Sequence, residues 1–223
     1  ASDVYKRQVE GETTVQPTAI KITTNQEKLT DQTLQYTAEA VENTTFIPSD
    51  NGQLYVAFGA MMDQGADGNT SYTFSELTVD GERVPLTKDS AQELAKGITI
   101  QGENKERWDV EGENRIHVKS TSGGVFNRQT PANWFKVPVD NNTTEVSLKI
   151  EGKTAVEWED VGIYLGKDAD NYVAIQRKHR QSNVGERFGM VSESNQSASE
   201  QLAESASDKQ DVKDLYFRLL RSD

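Results

Sequence analysis

The chain has 223 residues, of which 34% are hydrophobic and 27% charged, and its formal net charge is −12 from 36 acidic and 24 basic residues. Such an excess of negative charge repels a phosphate backbone and an anionic membrane surface, so we expect neither nucleic acid nor membrane as a partner. The sequence contains no cysteine, which excludes disulfides, thiolate metal ligands and cysteine nucleophiles. No stretch approaches the roughly 18 consecutive apolar residues of a membrane helix.

Both ends of the chain are unusual. The first eight residues, ASDVYKRQ, resemble the translated end of a sequencing-library adapter, and we leave residues 1–8 out of fold reasoning. At the other end, the apolar run from Leu215 to Leu220 stops where a strand would turn into its hairpin partner. We therefore expect a fragment that is truncated at both ends.

Residues 9–95 are predicted to form a β-rich N-terminal unit. Leu54 to Met62 is nearly continuous apolar sequence, which predicts a central strand. Tyr72 to Val79 alternates imperfectly, as at a bulge, with Leu77 and Val79 expected on the face opposite Tyr72. Asp80-Gly81 predicts a tight turn, and residues 88–96 are the best helical candidate. We place a boundary there.

Residues 96–223 are predicted to form a second unit of short strands. Glu145 to Glu151 alternates strictly, which places Val146, Leu148 and Ile150 inward. An antiparallel hairpin is expected at 161–177, whereas the Ser-, Glu- and Gln-rich segment from 192 to 214 predicts a solvated loop or short polar helix. The other predicted strands of this unit are Ile98–Ile100, Trp108–Val110, Arg115–Val118, Val125-Phe126, Trp134–Val137 and Leu215–Leu220.

Several of these segments carry a family resemblance: PANWFKVP (131–138), EVSLKIE (145–151), EWEDVGIYLGKDADNYVAIQRKH (157–179) and DLYFRLLRSD (214–223). From Trp108 to Arg177 the chain resembles the concanavalin A-like, laminin G-like domain at the C-terminus of family-43 β-xylosidases. The segments LYVAFGAMMD (54–63) and SYTFSELTVDGE (71–82) resemble the last two strands of another such sandwich, so residues 9–95 could be the tail of an upstream module. The expected fold is an all-β antiparallel sandwich of the concanavalin A-like jelly-roll type, with part of a second sandwich unit.

The resemblance implies a non-catalytic accessory module of a secreted bacterial carbohydrate-active protein, located outside the cell or at its surface. Such a module binds a polysaccharide or glycan, or supports an adjacent glycoside hydrolase domain of the same polypeptide. The alternative is a structural or adhesive β-sandwich repeat of a bacterial cell-surface protein. A free-standing hydrolase or lyase is the third possibility.

Candidate binding residues follow from the chemistry of sugar recognition, in which aromatic rings stack on sugars and polar groups flank them. On this basis the predicted glycan ligands are Trp158, Tyr164, Tyr172, Gln176 and Arg177. The oxygen-rich turn residues Asp168, Asp170 and Asn171 could hold Ca²⁺, although an ordinary hairpin turn explains them as well. No other cofactor is expected.

Only one carboxylate pair suggests catalysis. Glu157 and Glu159 stand two apart on a predicted strand, so they would share a face at a spacing compatible with a glycosidase. A solvated charged face is the simpler interpretation, and we predict no catalytic residue in this fragment.

Overall fold

The computed structural model describes residues 53–88, 94–180, 185–202 and 214–221, together with the backbone of four strands between residues 8 and 36. Apart from one two-stranded hairpin near the N-terminus, the strands form two sheets that pack face to face, and the described residues contain no α-helix. The predicted all-β antiparallel sandwich is therefore confirmed. No helix in the described ranges is long and apolar enough to cross a membrane.

Sheet I has eight strands. In spatial order they are β4 (Leu34–Tyr36), β3 (Pro17–Thr24), β18 (Asp214–Arg221), β13 (Glu145–Glu151), β6 (Ser71–Val79), β10 (Arg115–Lys119) and β9 (Trp108–Val110), with β7 (Glu82–Arg83) paired to β6. A separate hairpin joins β1 (Gln8–Val9) to β2 (Glu12–Thr13).

Sheet II also has eight strands. In spatial order they are β17 (Ser197–Leu202), β16 (Gly185–Ser194), β15 (Asn171–Arg180), β14 (Glu159–Asp168), β5 (Leu54–Met62), β12 (Trp134–Val139) and β8 (Thr99–Gln101), with the short β11 (Thr121–Ser122) beside β5. All of these pairings are antiparallel except that of β11 with β5.

The main core lies between the two sheets and draws on both predicted units. Leu54, Val56 and Phe58 of β5 pack with residues of β13, β14 and β18 in one apolar cluster. Because β5 and β6 occupy central positions in the two sheets, the described residues form one sandwich with a shared interior.

The regular strands follow their sequence patterns closely. In β13 the side chains of Val146, Leu148 and Ile150 are fully buried, as strict alternation predicts. The hairpin β14–β15, the central strand β5 and the tight turn at Asp80-Gly81 are likewise confirmed.

A bulge changes the faces of β6. Its pairing with β13 shifts register between Ser147 and Lys149, and Glu76 has a φ of 53°. The extra residue turns Leu77 toward the interior, where it joins Tyr72 in the main core. The bulge was predicted, but the assignment of Leu77 to the opposite face was wrong.

Two further expectations are corrected. The polar segment after residue 192 is not simply a loop, since β16 runs to Ser194 and β17 follows as its hairpin partner. Val125 and Phe126 are not a strand; they belong to an irregular loop described below. Residues 89–93 of the predicted helix lie outside the described residues, and Ala95–Gly97 form a 3-10 turn.

The aromatic centre of the core provides a test of this packing. Phe58 is fully buried, and its ring centroid lies 5.0 Å from that of Phe74 in the opposite sheet and 5.2 Å from that of Phe135. We expect Phe58→Ala to lower the free energy of unfolding by about 3–5 kcal/mol, because it removes this contact and leaves a cavity.

Denaturant unfolding followed by circular dichroism measures this loss. Val156→Ala is the control, since Val156 is 45% exposed and its truncation should change stability by less than about 0.5 kcal/mol. Equal stability of the two variants would contradict a core centred on Phe58.

Candidate functional site

The outer face of sheet II, turned away from sheet I, is covered by an irregular loop. Residues 123–131, which we call the strap, run between β11 and β12 across this face. Val125 and Phe126 of the strap pack with Trp134, Tyr164 and Tyr172 in a second apolar cluster, distinct from the main core. Sheet II is consequently covered on both faces.

Three aromatic rings from different strands lie in a row beneath the strap. The ring centroids of Trp134 and Tyr164 are 5.6 Å apart, those of Tyr164 and Tyr172 are 5.4 Å apart, and both pairs meet edge to face. Gln176 donates a hydrogen bond from Nε2 to the Tyr164 hydroxyl at 2.7 Å. Three of the five predicted glycan ligands thus meet on one face, where they are buried.

The other two predicted ligands lie elsewhere. Arg177 alternates with Gln176 along β15 and so points into the space between the sheets, where it pairs with Glu186 and donates to the Gly152 carbonyl at 2.7 Å. Trp158 lies in the turn before β14 with a φ of 70°, is partly exposed, and stacks with the Arg180 guanidinium at 5.5 Å.

The carboxylate pair expected at 157 and 159 does not exist. Strand β14 begins only at Glu159, and the positive φ of Trp158 breaks the alternation that would have aligned the two side chains. Glu157 is exposed, whereas Glu159 is fully buried and accepts a hydrogen bond from the Ala155 amide at 2.8 Å. The two carboxylates therefore do not face a common substrate.

A network of charges lies beside the aromatic row on the same face of sheet II. Asp160 pairs with Arg180 at 2.9 Å and with Lys178 at 3.7 Å, and Glu200 of β17 contacts both cations. Lys178 is fully buried, with its ammonium group 5.1 Å from the centroid of the Phe126 ring of the strap. The two positive and the two negative charges of this network cancel, which allows the four side chains to be buried together.

An open cleft of about 480 Å³ lies at the base of the strap. It is bounded by the loop after β5, the turn after β8, and the strap with its flanking residues. Hydrogen-bonding side chains dominate its walls, with glycine and apolar residues between them. The lining residues are Met62, Asp63, Gly65, Asp67, Gly102, Asn104, Thr121, Ser122, Gly123, Arg128, Thr130, Pro131 and Ala132.

Asp63 links the cleft to the charge network. Burial and the neighbouring Asp160 raise the pKa of its carboxyl group, while Arg128 of the strap opposes this from 3.9 Å. The Asp63 amide donates to the Trp158 carbonyl at 2.8 Å, so the main chain before β14 is attached to the end of β5. A carboxylate and a guanidinium group thus adjoin each other in the wall of the cleft.

The turn proposed to hold Ca²⁺ uses its oxygens internally. Asp168 Oδ1 accepts hydrogen bonds from the Asp170 amide at 3.0 Å and from the Asn171 side chain at 2.8 Å. Within the part of the chain that the structure describes, no group of three or more His, Asp or Glu side chains is placed to hold a metal ion. Calcium binding at this turn stays a prediction.

Glu193 of β16 attaches the strap to sheet II. Its carboxylate accepts hydrogen bonds from the Asn127 amide and from the Tyr172 hydroxyl, both at 3.0 Å. The side chain is fully buried, and this burial, together with Asp170 and Asp168, raises the pKa of Glu193 to about 7. The protonation state of this attachment therefore changes near neutral pH.

Sequence reasoning missed Asp63, Asp160, Lys178, Arg180, Glu193 and Glu200. Lys178 and Arg180 do alternate on β15 with Gln176, so their common face was readable. The carboxylates that pair with them come from other strands of the sheet, and a local sequence pattern gives no information about such contacts.

Comparison with protein-family models, with curated proteins and with solved structures found no match to this chain.

The raised pKa of Glu193 predicts a particular pH dependence of stability. Because folding raises this pKa from 4.5 to about 7, the folded state favours the neutral acid, and the stability that this acid contributes is fully present below about pH 4.5 and is lost progressively as the pH rises from there through about 7. Glu193→Gln, which mimics the neutral acid, should therefore be more stable than the wild type at pH 8 by roughly 3 kcal/mol and similar to it at pH 5.

Urea unfolding of both proteins between pH 5 and pH 8 gives the difference directly. Glu113→Gln is the matched control, since Glu113 is exposed and its substitution should leave the difference flat across this range. If the difference in unfolding free energy between Glu193→Gln and the wild type were also independent of pH, Glu193 would be ionised across the whole range from pH 5 to pH 8.

Proposed function

We propose that this chain is a non-catalytic accessory module of a secreted modular carbohydrate-active protein, and that it binds glycan or supports a neighbouring glycoside hydrolase domain. The resemblance of residues 108–177 to concanavalin A-like, laminin G-like modules supports this assignment, and the two-sheet sandwich is compatible with it. The adjacent domains of the same polypeptide and an extracellular location are part of the same proposal.

The observation that carries the proposal is the polar cleft at the base of the strap. Its volume of about 480 Å³ falls within the range of small-ligand pockets, about 300–1,000 Å³. Sugar hydroxyls both donate and accept hydrogen bonds, so they suit walls that combine the carboxylates of Asp63 and Asp67, the guanidinium of Arg128 and the amide of Asn104.

The charge of the chain narrows the choice of glycan. At −12 the protein repels polyuronates and sulfated chains, whereas neutral polysaccharides are unaffected by this field. Xylan and arabinan are therefore the first ligands to test, with mucin glycans as a more distant class.

A structural or adhesive repeat of a cell-surface protein is the second candidate function. The burial of Tyr164, Tyr172, Gln176 and Arg177 favours it, because four predicted ligands are enclosed by the protein itself. A spacer needs a stable sandwich and no open ligand surface.

Glycan binding should depend on the cleft. We expect folded wild-type protein to be retarded in affinity electrophoresis through at least one of xylan, arabinan or mucin glycans, and Arg128→Ala to weaken that retardation by about tenfold. Arg128 lines the cleft with its side chain 44% exposed, so its loss removes a charged donor from the wall.

Arg83→Ala is the matched control, since Arg83 is an exposed arginine on β7 at a distance from the cleft along sheet I. It should bind like the wild type. Unretarded migration of folded wild-type protein on every glycan would favour the structural repeat, and equal weakening by both variants would move the binding site away from the cleft.

A further inference from the structure

The strap is built as a closed loop on top of sheet II. Gly124 and Thr130 exchange backbone hydrogen bonds at 2.8 and 3.2 Å, so the two ends of the strap meet and residues 125–129 form a compact loop between them. Gly123 stands at one end with a φ of 151°, and a Cβ at this position would lie 2.5 Å from the Thr130 carbonyl oxygen. Pro131 stands at the other end.

Few polar contacts attach the loop tip to the rest of the protein. The Asn127 amide donates to Glu193, and Asn127 Oδ1 accepts from the Ala198 amide at 2.8 Å. Arg128 donates to the Asp63 carbonyl, and Gln129 contacts Asp170. Residues 127–130 are exposed to solvent, and no backbone ladder joins them to a strand. A segment held in this way can open without unfolding the sheets.

The surface beneath the strap combines aromatic rings with buried polar atoms. The row of Trp134, Tyr164 and Tyr172 provides aromatic rings. Three buried polar atoms on the same face find no hydrogen-bond partner among the described residues: Trp134 Nε1, Gln176 Oε1 and Glu193 Oε1. Buried polar groups are ordinarily paired, so donors and acceptors that lie beside aromatic rings without a partner suit the binding of a polar ligand.

We infer that the strap is a lid, which opens to admit a neutral glycan onto the aromatic and polar face of sheet II. This inference rests on the proposed function and extends it, because the open cleft becomes the entrance to a longer groove. Sugar rings would stack on the aromatic row, and their hydroxyls would pair with the free atoms of Trp134, Gln176 and Glu193. Tyr164, Tyr172 and Gln176 then serve as ligands in the open form.

Locking the strap closed provides the test. The chain has no cysteine, so an Asn127→Cys/Ala198→Cys variant can form only one disulfide, between the loop tip and β17. The two positions are in direct contact, since Asn127 Oδ1 accepts a hydrogen bond from the Ala198 amide at 2.8 Å. We expect the reduced variant to be retarded by xylan or arabinan and the oxidised variant to lose at least about tenfold in affinity.

The reduced protein is the control for folding and for the two substitutions, and cysteine-free wild type is the control for the redox conditions. Equal binding by both redox forms would overturn the lid while leaving the proposed function in place. Absence of binding by reduced, oxidised and wild-type protein alike would instead remove the proposed function, and the lid inference with it.

A second measurement reports on opening without any ligand. In wild-type protein the Asn127 amide should exchange with deuterium at least about tenfold faster than the amide of Ile163, which lies in a strand paired on both sides. Equal protection of the two amides would mean that the strap opens only when the whole sandwich unfolds, and this would overturn the inference.

Discussion

The structure depends on the burial of strand β5 on both of its faces. Leu54, Val56 and Phe58 point toward sheet I, while Ala57 and Met61 point the other way into the second apolar cluster. Exposing a sheet whose central strand is apolar on both sides is unfavourable, because each exposed apolar side chain forgoes about 1.5–3 kcal/mol of burial. Sheet I covers one face, and among the described residues the strap covers the other at this position. The strap thus contributes to the stability of the fold, although it has no regular structure.

The same constraint explains why charged groups are enclosed. Once the strap covers part of the outer face of sheet II, the neighbouring positions on β14 and β15 lose water as well, and any charge there must be paired. Asp160 therefore meets Arg180 and Lys178, and Glu200 completes the set from β17. On the inner face Arg177 meets Glu186 for the same reason. Both arrangements use antiparallel neighbours, in which side chains from adjacent strands meet in register.

The inner layer could be predicted from the sequence, whereas the outer layer could not. Alternation in β13 identified its core residues, since one apolar face and one polar face leave a period of two. In β14 and β15 both faces carry apolar or aromatic residues, so the pattern showed burial but not what covers each face. Tyr164 and Tyr172 were accordingly predicted as sugar ligands at an open surface, and they lie under the strap instead. The strap itself was interpreted as a short strand at Val125 and Phe126, because two apolar residues between turn signals carry no information about the loop that holds them.

A purely structural cover would be expected to match the chemistry of the surface beneath it. Apolar side chains would lie over apolar side chains, and polar atoms would find partners, because an unpaired buried polar group costs about 1–3 kcal/mol. Val125 and Phe126 satisfy the first condition above the aromatic row. The second condition fails at Trp134, Gln176 and Glu193, each of which keeps an atom without a hydrogen-bond partner on that face. Glu193 adds a carboxyl group whose pKa of about 7 leaves it partly protonated at neutral pH where the strap is attached. A cover that is well matched in its apolar contacts and poorly matched in its polar ones stabilises the fold yet can be displaced by a ligand that supplies both.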